Sequence, residues 1–366
     1  MNAKNTDLFK RVIETNNSVA SSSLEEVCSD DIDLSKDIFL CLPGSIVSKK
    51  KNDLTALDPE EYLKNMLSGK KYAATDEAYK ALSGFIKQTQ KLLGSNEHQV
   101  LGVIYDNDTN GLQSHKANHY HKPDTYFSPQ AESLVNDILS PLFINEKSAD
   151  KKYSKEELAD NFSRLKIVAY SHGSIFAADI NNALINSMVK HGYRYNQVYE
   201  ALGNSKLIAI GATMSLQKNK TTSLSFNSAL FTAVNDKVIF PFNRSGEKDS
   251  IRKISDKAIQ VFTENPLEFY YLDKCNSLKQ LKDDTYHNPN SYSAFKFSES
   301  PEQVIDNLTP FMIKNAITNM FFKGEKDITK ILSYNTEEKP KSFYKRLYNE
   351  RVENIVNKTF GSNERV

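Results

Sequence analysis

The sequence predicts an α/β protein with about six mostly parallel strands flanked by helices, and with helical additions at both ends. Three observations predict it. Short, largely apolar runs such as IFLCL, QVLGVIY, KLIAIGAT and SALFTAV have the composition of strands buried on both faces. Longer stretches with apolar residues at three-to-four spacing lie between several of them, as in helices packed against a sheet. The alternation of strand, helix and strand is the repeat unit of a parallel sheet.

The 366 residues include 47 Lys plus Arg against 46 Asp plus Glu, a formal net charge of +1. Bulk charge therefore gives no case for nucleic acid as a partner, and none is expected. No run approaches the ~20 apolar residues needed to span a bilayer. The beginning, MNAKNTDLFKRVIETNN, lacks the apolar centre of a secretory signal. A soluble protein is expected, cytoplasmic or exported by a route without a cleavable signal peptide. Cys28, Cys41 and Cys275 are an odd, sparse set without metal-ligand spacing, which predicts reduced thiols.

In chain order, residues 1–36 read as an amphipathic helix (Leu8, Phe9, Val12, Ile13) and a Ser-rich acidic linker. DIFLCLPGSIV, residues 37–47, is the first strand, ended by Pro43, Gly44 and Ser45. A short helix follows Pro59, and a firmer one starts at Thr75, with Tyr79, Leu82, Phe85, Ile86 and Leu92 on one face and Gly94 at its stop. After the strand Gln99 to Tyr105 comes a polar loop, 106–127, holding His115, His119 and His121. With Asp124 these could ligate a metal, although a solvated polar loop is the simpler expectation. Ser128 and Pro129 open the next helix, and Ser154 with Glu157 forms a capping box for another.

The segment KIVAYSHGSIFAA, residues 166–178, then runs from strand to helix through Ser171. A serine between small residues at such a bend presents its hydroxyl to a cleft. The helix continues through Ile180, Ala183, Leu184 and Met188 to Gly192. Strands follow at 206–213 and 228–234, a charged connection at 243–258, and a last strand, LEFYYL, at 267–272. A helix from Ser300 stops at Gly324, and a final helix spans about 341–358. Its basic residues are interleaved along an apolar face, which allows contact with a membrane surface, but packing on the main domain is the simpler expectation.

Ser171, Asp236 and His287 each follow a predicted strand, in that order. A serine hydroxyl needs a histidine to take its proton, and the histidine needs a carboxylate to orient it. The oxyanion that forms needs backbone N–H donors, for which His172 and either Ser45 or Gly44 are the candidates. Asp273, Asp283 and Asp284 are rival acids, and His172 and the loop histidines are rival bases.

On these residues the chain resembles the α/β-hydrolase superfamily, in particular its serine lipases and esterases. Ala169 to Gly173 is similar to the nucleophile elbow, Leu42 to Ser45 to the oxyanion turn, and Asn235 to Val238 and His287 to the family's acid and base segments. Elbows beginning with alanine, as at Ala169, occur among lipases of the family. The resemblance covers about residues 37–323 and implies three parts: an N-terminal helix and linker (1–36), a hydrolase domain (37–323) and a C-terminal helical extension (324–366). It implies a minimal sheet that starts at the strand bearing the oxyanion turn, without two leading antiparallel strands. It also implies a serine esterase with catalytic Ser171, Asp236 and His287, an acyl-ester or lipid substrate, no cofactor and no metal. A thioesterase or peptidase would use the same groups. The rival from another class is a hydrolase-shaped interaction or effector protein with an inactive site, which the terminal additions and the His-bearing loop would suit.

Overall fold

The computed structural model describes residues 9–14, 22–26, 29–42, 99–103, 127, 129–148, 150–170, 173–211, 224–233, 250–255, 258–263, 315–333, 349–350 and 352–357. The predicted helices after Pro59 and from Thr75, the loop 106–127 up to residue 126, and the segment 267–272 lie outside the described residues. Two compact units divide the chain: Met1–Leu207 with Met214–Asn227, and Ile208–Thr213 with Ser228–Val366.

In the first unit the strands are β1 (Phe9–Glu14), β2 (Ser22–Glu26), β3 (Ile38–Leu42), β4 (Gln99–Val103) and β5 (Leu165–Tyr170). Their order is β2-β1-β4-β3-β5. β3 is parallel to both neighbours, with Ile38 opposite Gln99 on one side and Leu165 on the other. All five residues of β3 and all six of β5 are buried. That burial explains why β3, and β5 apart from Lys166, read as apolar runs rather than alternating ones.

Where a helix and a linker were expected within 1–36, the described residues 9–14 and 22–26 form strands. Residues 9–14 are a strand, antiparallel both to β4, with Phe9 opposite Val103, and to β2, with Lys10 opposite Glu26. The expected minimal sheet is corrected with it, because two antiparallel strands precede β3. The spacing of Phe9, Val12 and Ile13 suits a helix as well as a strand. A helix this short is marginal in water, whereas a strand here gains ladder hydrogen bonds on both sides.

Among the described residues four helices accompany these strands: α1 (Pro129–Asp137), α2 (Lys155–Ser163), α3 (Gly173–Lys190) and α4 (Tyr195–Leu202). α1 packs on α3. Ser187 Oγ donates to Asn136 Oδ1 at 2.9 Å and Lys190 pairs with Glu132 at 3.4 Å across that contact. The capping box predicted for α2 is present: the Ser154 hydroxyl accepts from Glu157 N–H at 3.2 Å, and Ser154 N–H donates to Glu157 Oε2 at 2.9 Å. Ser154→Ala is expected to lower the unfolding free energy by about 1 kcal/mol, read from the urea midpoint at unchanged slope.

α3 stops where the sequence predicts. Gly192 has φ +83°, its N–H bonds to Val189 O, and Tyr193 N–H reaches back to Met188 O, the pairing of a Schellman stop. A Cβ at Gly192 would meet only the flexible end of Lys152, so the cost of Gly192→Ala is one of backbone conformation. We expect a loss of about 1 kcal/mol, measured by thermal unfolding. α4 is an element the sequence reading passed over. Its buried residues Val198, Ala201 and Leu202 have helical spacing and were the available signal.

β6 (Lys206–Ile210) is shared between the units, its first two residues belonging to the first and its last three to the second. In the second unit β7 (Asn227–Ala233) is parallel to β9 (Ala258–Thr263), with Ser228 opposite Ala258 and Ala233 opposite Thr263. β8 (Ser250–Ser255) is antiparallel to β9. The charged connection expected over 243–258 is thus partly strand. SIRKIS lies at the end of the strand order, where a ladder tolerates charge, and a search for wholly apolar runs does not find such a strand.

Helical residues 315–316 lead into a π-helical turn, α5 (Ile317–Phe322), followed by α6 (Ile328–Leu332). Asn319 Nδ2 donates to Lys330 O and Ser333 O, both at 2.8 Å, and so satisfies carbonyls at the end of α6. The described end of the helix predicted from Ser300, residues 315–322, stops just before Gly324, which has φ +66°. Residues 349–350 and 352–357 are helical within the predicted final helix, with Val352 and Ile355 buried as expected.

The chain is therefore an α/β protein in which β3, β4, β5, β7 and β9 all have parallel partners and helices pack beside them. Among the described residues no helix is long and apolar enough to cross a membrane.

Candidate active site

β5 carries its backbone to Tyr170 with every residue buried, and α3 begins at Gly173. Only residues 171 and 172 join them. Gly173, Ala177 and Ala178 on the first turns of α3 are buried, and α3 contacts β5 and β3. Small side chains there let the helix start close to the strand it has just left. This is the local setting that a nucleophile elbow requires, a strand and a helix joined by a minimal bend.

Leu42, the last residue of β3, is opposite Ala169 of β5. Because the two strands are parallel, the chain departs from both at the same end of adjacent strands, which lie about 4.8 Å apart. The segment with Gly44 and Ser45 follows one departure, and Ser171 with His172 follows the other. β4 lies on the other side of β3, and the His-bearing loop begins shortly after its last residue, Val103. In the second unit, β7 ends at Ala233, three positions before Asp236, and Thr263 of β9 is opposite that end. The predicted residues Ser171, His172, Gly44, Ser45, Asp236 and His287 all lie outside the described residues, as do His115, His119, His121 and Asp124 and the rival acids. The structure describes the ends of β3, β4, β5 and β7, which precede Gly44 and Ser45, the His-bearing loop, Ser171 and Asp236; the strand predicted before His287 lies outside the described residues.

The positive end of the α3 macrodipole lies at Gly173, immediately after Ser171 and His172 in the chain. At the opposite end of the same strands is a buried charge pair. Lys166 is only 4% exposed, pairs with Asp37, and has its ammonium 5.3 Å from the centroid of the Phe39 ring. Burial lowers the Lys166 pKa, and the hydrogen bond that Lys166 donates to Asp37 opposes that shift only in part. Cys41 is buried in β3, in keeping with a core residue. Among the described residues, no group of three or more His, Cys, Asp or Glu side chains could hold a metal ion.

Asn181 is a polar residue of α3 that the sequence reading passed over, since the reading followed only the apolar residues of the helix. It is buried, its Oδ1 accepts Ser225 N–H at 3.0 Å, and its Nδ2 donates to Asn182 Oδ1 at 3.2 Å. The cluster Asp179, Asn181 and Asn182 among the apolar residues of the helix was the available signal. No protein-family model matches the chain, and no curated protein matches it either.

Proposed function

We propose that the chain is a serine hydrolase of the α/β-hydrolase type that cleaves an ester, of a lipid or another acyl compound, through an acyl-enzyme intermediate. Ser171 is the nucleophile, His287 the general base and then acid, and Asp236 the carboxylate that orients His287. The backbone N–H of His172, with that of Ser45 or Gly44, receives the oxyanion, and the N-terminal end of α3 adds a favourable potential. No cofactor or metal takes part.

The observation that carries this reading is the joint of two residues between the buried strand β5 and α3, with a serine as its first member. The pairing of Leu42 with Ala169 supports it, because the proposed oxyanion turn and the nucleophile then follow neighbouring strand ends. A fluorophosphonate probe tests it. Stoichiometric labelling of the wild type, absent in Ser171→Ala, is expected. Labelling that persists in the variant, or wild-type protein inert to the probe and to ester, thioester and peptide substrates, would overturn it. Faster turnover of esters than of matched thioesters and amides is expected on the same reading.

A further inference from the structure

We propose that the joint between α5 and α6 is an attachment point for an anionic lipid surface. This role rests on the lipid-ester reading for its purpose, whereas the contacts behind it stand without that reading and all lie within the second unit.

α5 and α6 bury Met320, Phe321, Ile331 and Leu332. Phe322 differs from them: it is 42% exposed, against 1% for Phe321 beside it. An exposed ring alone is ordinary on a protein surface, and it is the surroundings that single this one out. Lys323, Lys326 and Lys330 are exposed as well. Asn319 Nδ2 holds Lys330 O at 2.8 Å, and Phe322 and Lys323 follow Asn319 by three and four positions, about one helical turn. Lys326 lies in the short turn between the two helices. The ring and the three lysines therefore gather around one joint.

The acids of the same turn are engaged by the backbone. Glu325 Oε1 accepts Lys326 N–H at 2.9 Å and Asp327 N–H at 3.0 Å, and Asp327 Oδ1 accepts Lys330 N–H at 3.0 Å in the first turn of α6. Those backbone dipoles offset part of the negative charge. Among the described residues no ion pair engages the three ammonium groups. The turn is also held, since Gly324 takes φ +66° and Glu325 N–H donates to Asn319 O at 3.0 Å. A turn fixed in this way loses little conformational freedom on docking.

This chemistry suits one partner. At the boundary of a bilayer a ring enters among the acyl chains, the aliphatic stems of lysines lie alongside it, and their ammonium groups stay with the headgroup phosphates. Anionic headgroups add about fivefold in affinity for each lysine near the surface. An acidic polypeptide would pair with the lysines but has no use for the ring, and the test separates the two.

The chain contains no tryptophan, so Phe322→Trp introduces a single reporter at the ring. The full chain is sedimented with vesicles of phosphatidylcholine, alone or mixed in equal parts with phosphatidylglycerol, and Trp emission is read with the same vesicles and with soluble polyglutamate. We expect binding to the mixed vesicles that weakens with added salt, and a blue shift of emission on them but not with polyglutamate. Phe322→Ala should weaken vesicle binding about fivefold, and joint replacement of Lys323, Lys326 and Lys330 by Gln about 10²-fold. All four side chains are exposed, so these variants keep the fold, which circular dichroism checks. Equal binding to neutral vesicles, none to mixed ones, binding that the variants leave unchanged, or a shift with polyglutamate as large as that with vesicles would overturn the proposal. Binding is read without turnover. A wild type that binds the mixed vesicles but cleaves no ester loses the hydrolase reading alone, and one that cleaves soluble esters but ignores vesicles loses the attachment point alone.

Discussion

Ser171→Ala is expected to lower kcat on a nitrophenyl ester by about 10⁴–10⁶-fold while leaving the fold intact. The magnitude follows from what the hydroxyl contributes to such a site. Without a nucleophile no acyl-enzyme forms, and only binding and the oxyanion donors remain to speed attack by water. The structural cost is small because the substitution removes one oxygen from a joint whose flanking strand and helix are independently buried. Steady-state kinetics with an unchanged far-UV circular dichroism spectrum checks both parts. Asp236→Asn and His287→Ala should each lose at least about 10³-fold, and the losses should not add, since the three groups act as one unit. A variant at Asp273 with a larger loss than Asp236→Asn would transfer the role of the acid.

Asp37→Ala should destabilise the protein by about 3 kcal/mol, whereas Lys166→Met should be near neutral or stabilising. Removing Asp37 leaves the Lys166 ammonium buried without this partner. Removing Lys166 leaves Asp37, whose side chain is 27% exposed and can hydrate. The asymmetry follows from the direction of the Lys166 pKa, which burial lowers against the pull of Asp37. In the window below 10.5 the folded chain therefore binds fewer protons at this site than the unfolded chain does. Stability from this group accordingly rises with pH through that window. The advantage of Lys166→Met over the wild type should shrink as pH rises toward 10.5. Urea unfolding of both proteins at neutral and alkaline pH measures it, and a larger loss in Lys166→Met than in Asp37→Ala would refute the account.

The strands that bracket the proposed elbow were legible because each is buried on both faces. Ile38–Leu42, Leu165–Tyr170 and Lys206–Ile210 announce themselves as apolar runs. The Ser154 box and the Gly192 stop were legible for a different reason. Both are local devices whose partners lie within a few residues, so spacing alone identifies them. Strands β1, β2 and β8 were missed because they are antiparallel, short or charged, and their stability comes from ladders with partners distant in sequence or from a hairpin. The proposed site divides in the same way. The order Ser171, Asp236, His287 is a property of the sequence, and the opposition of Leu42 and Ala169 that supports it is a property of the sheet.

The sequence by itself determined the α/β class, the central strands and the serine joint between β5 and α3. These depend on burial and on contacts within a turn or two, which composition and spacing record. Only the tertiary structure decided that residues 9–14 extend the sheet, that Lys166 is held by Asp37, and that Asn181 receives the backbone of Ser225. Each of these joins residues far apart along the chain, and a hydrogen bond or ion pair of that kind leaves no periodic trace in either partner's neighbourhood.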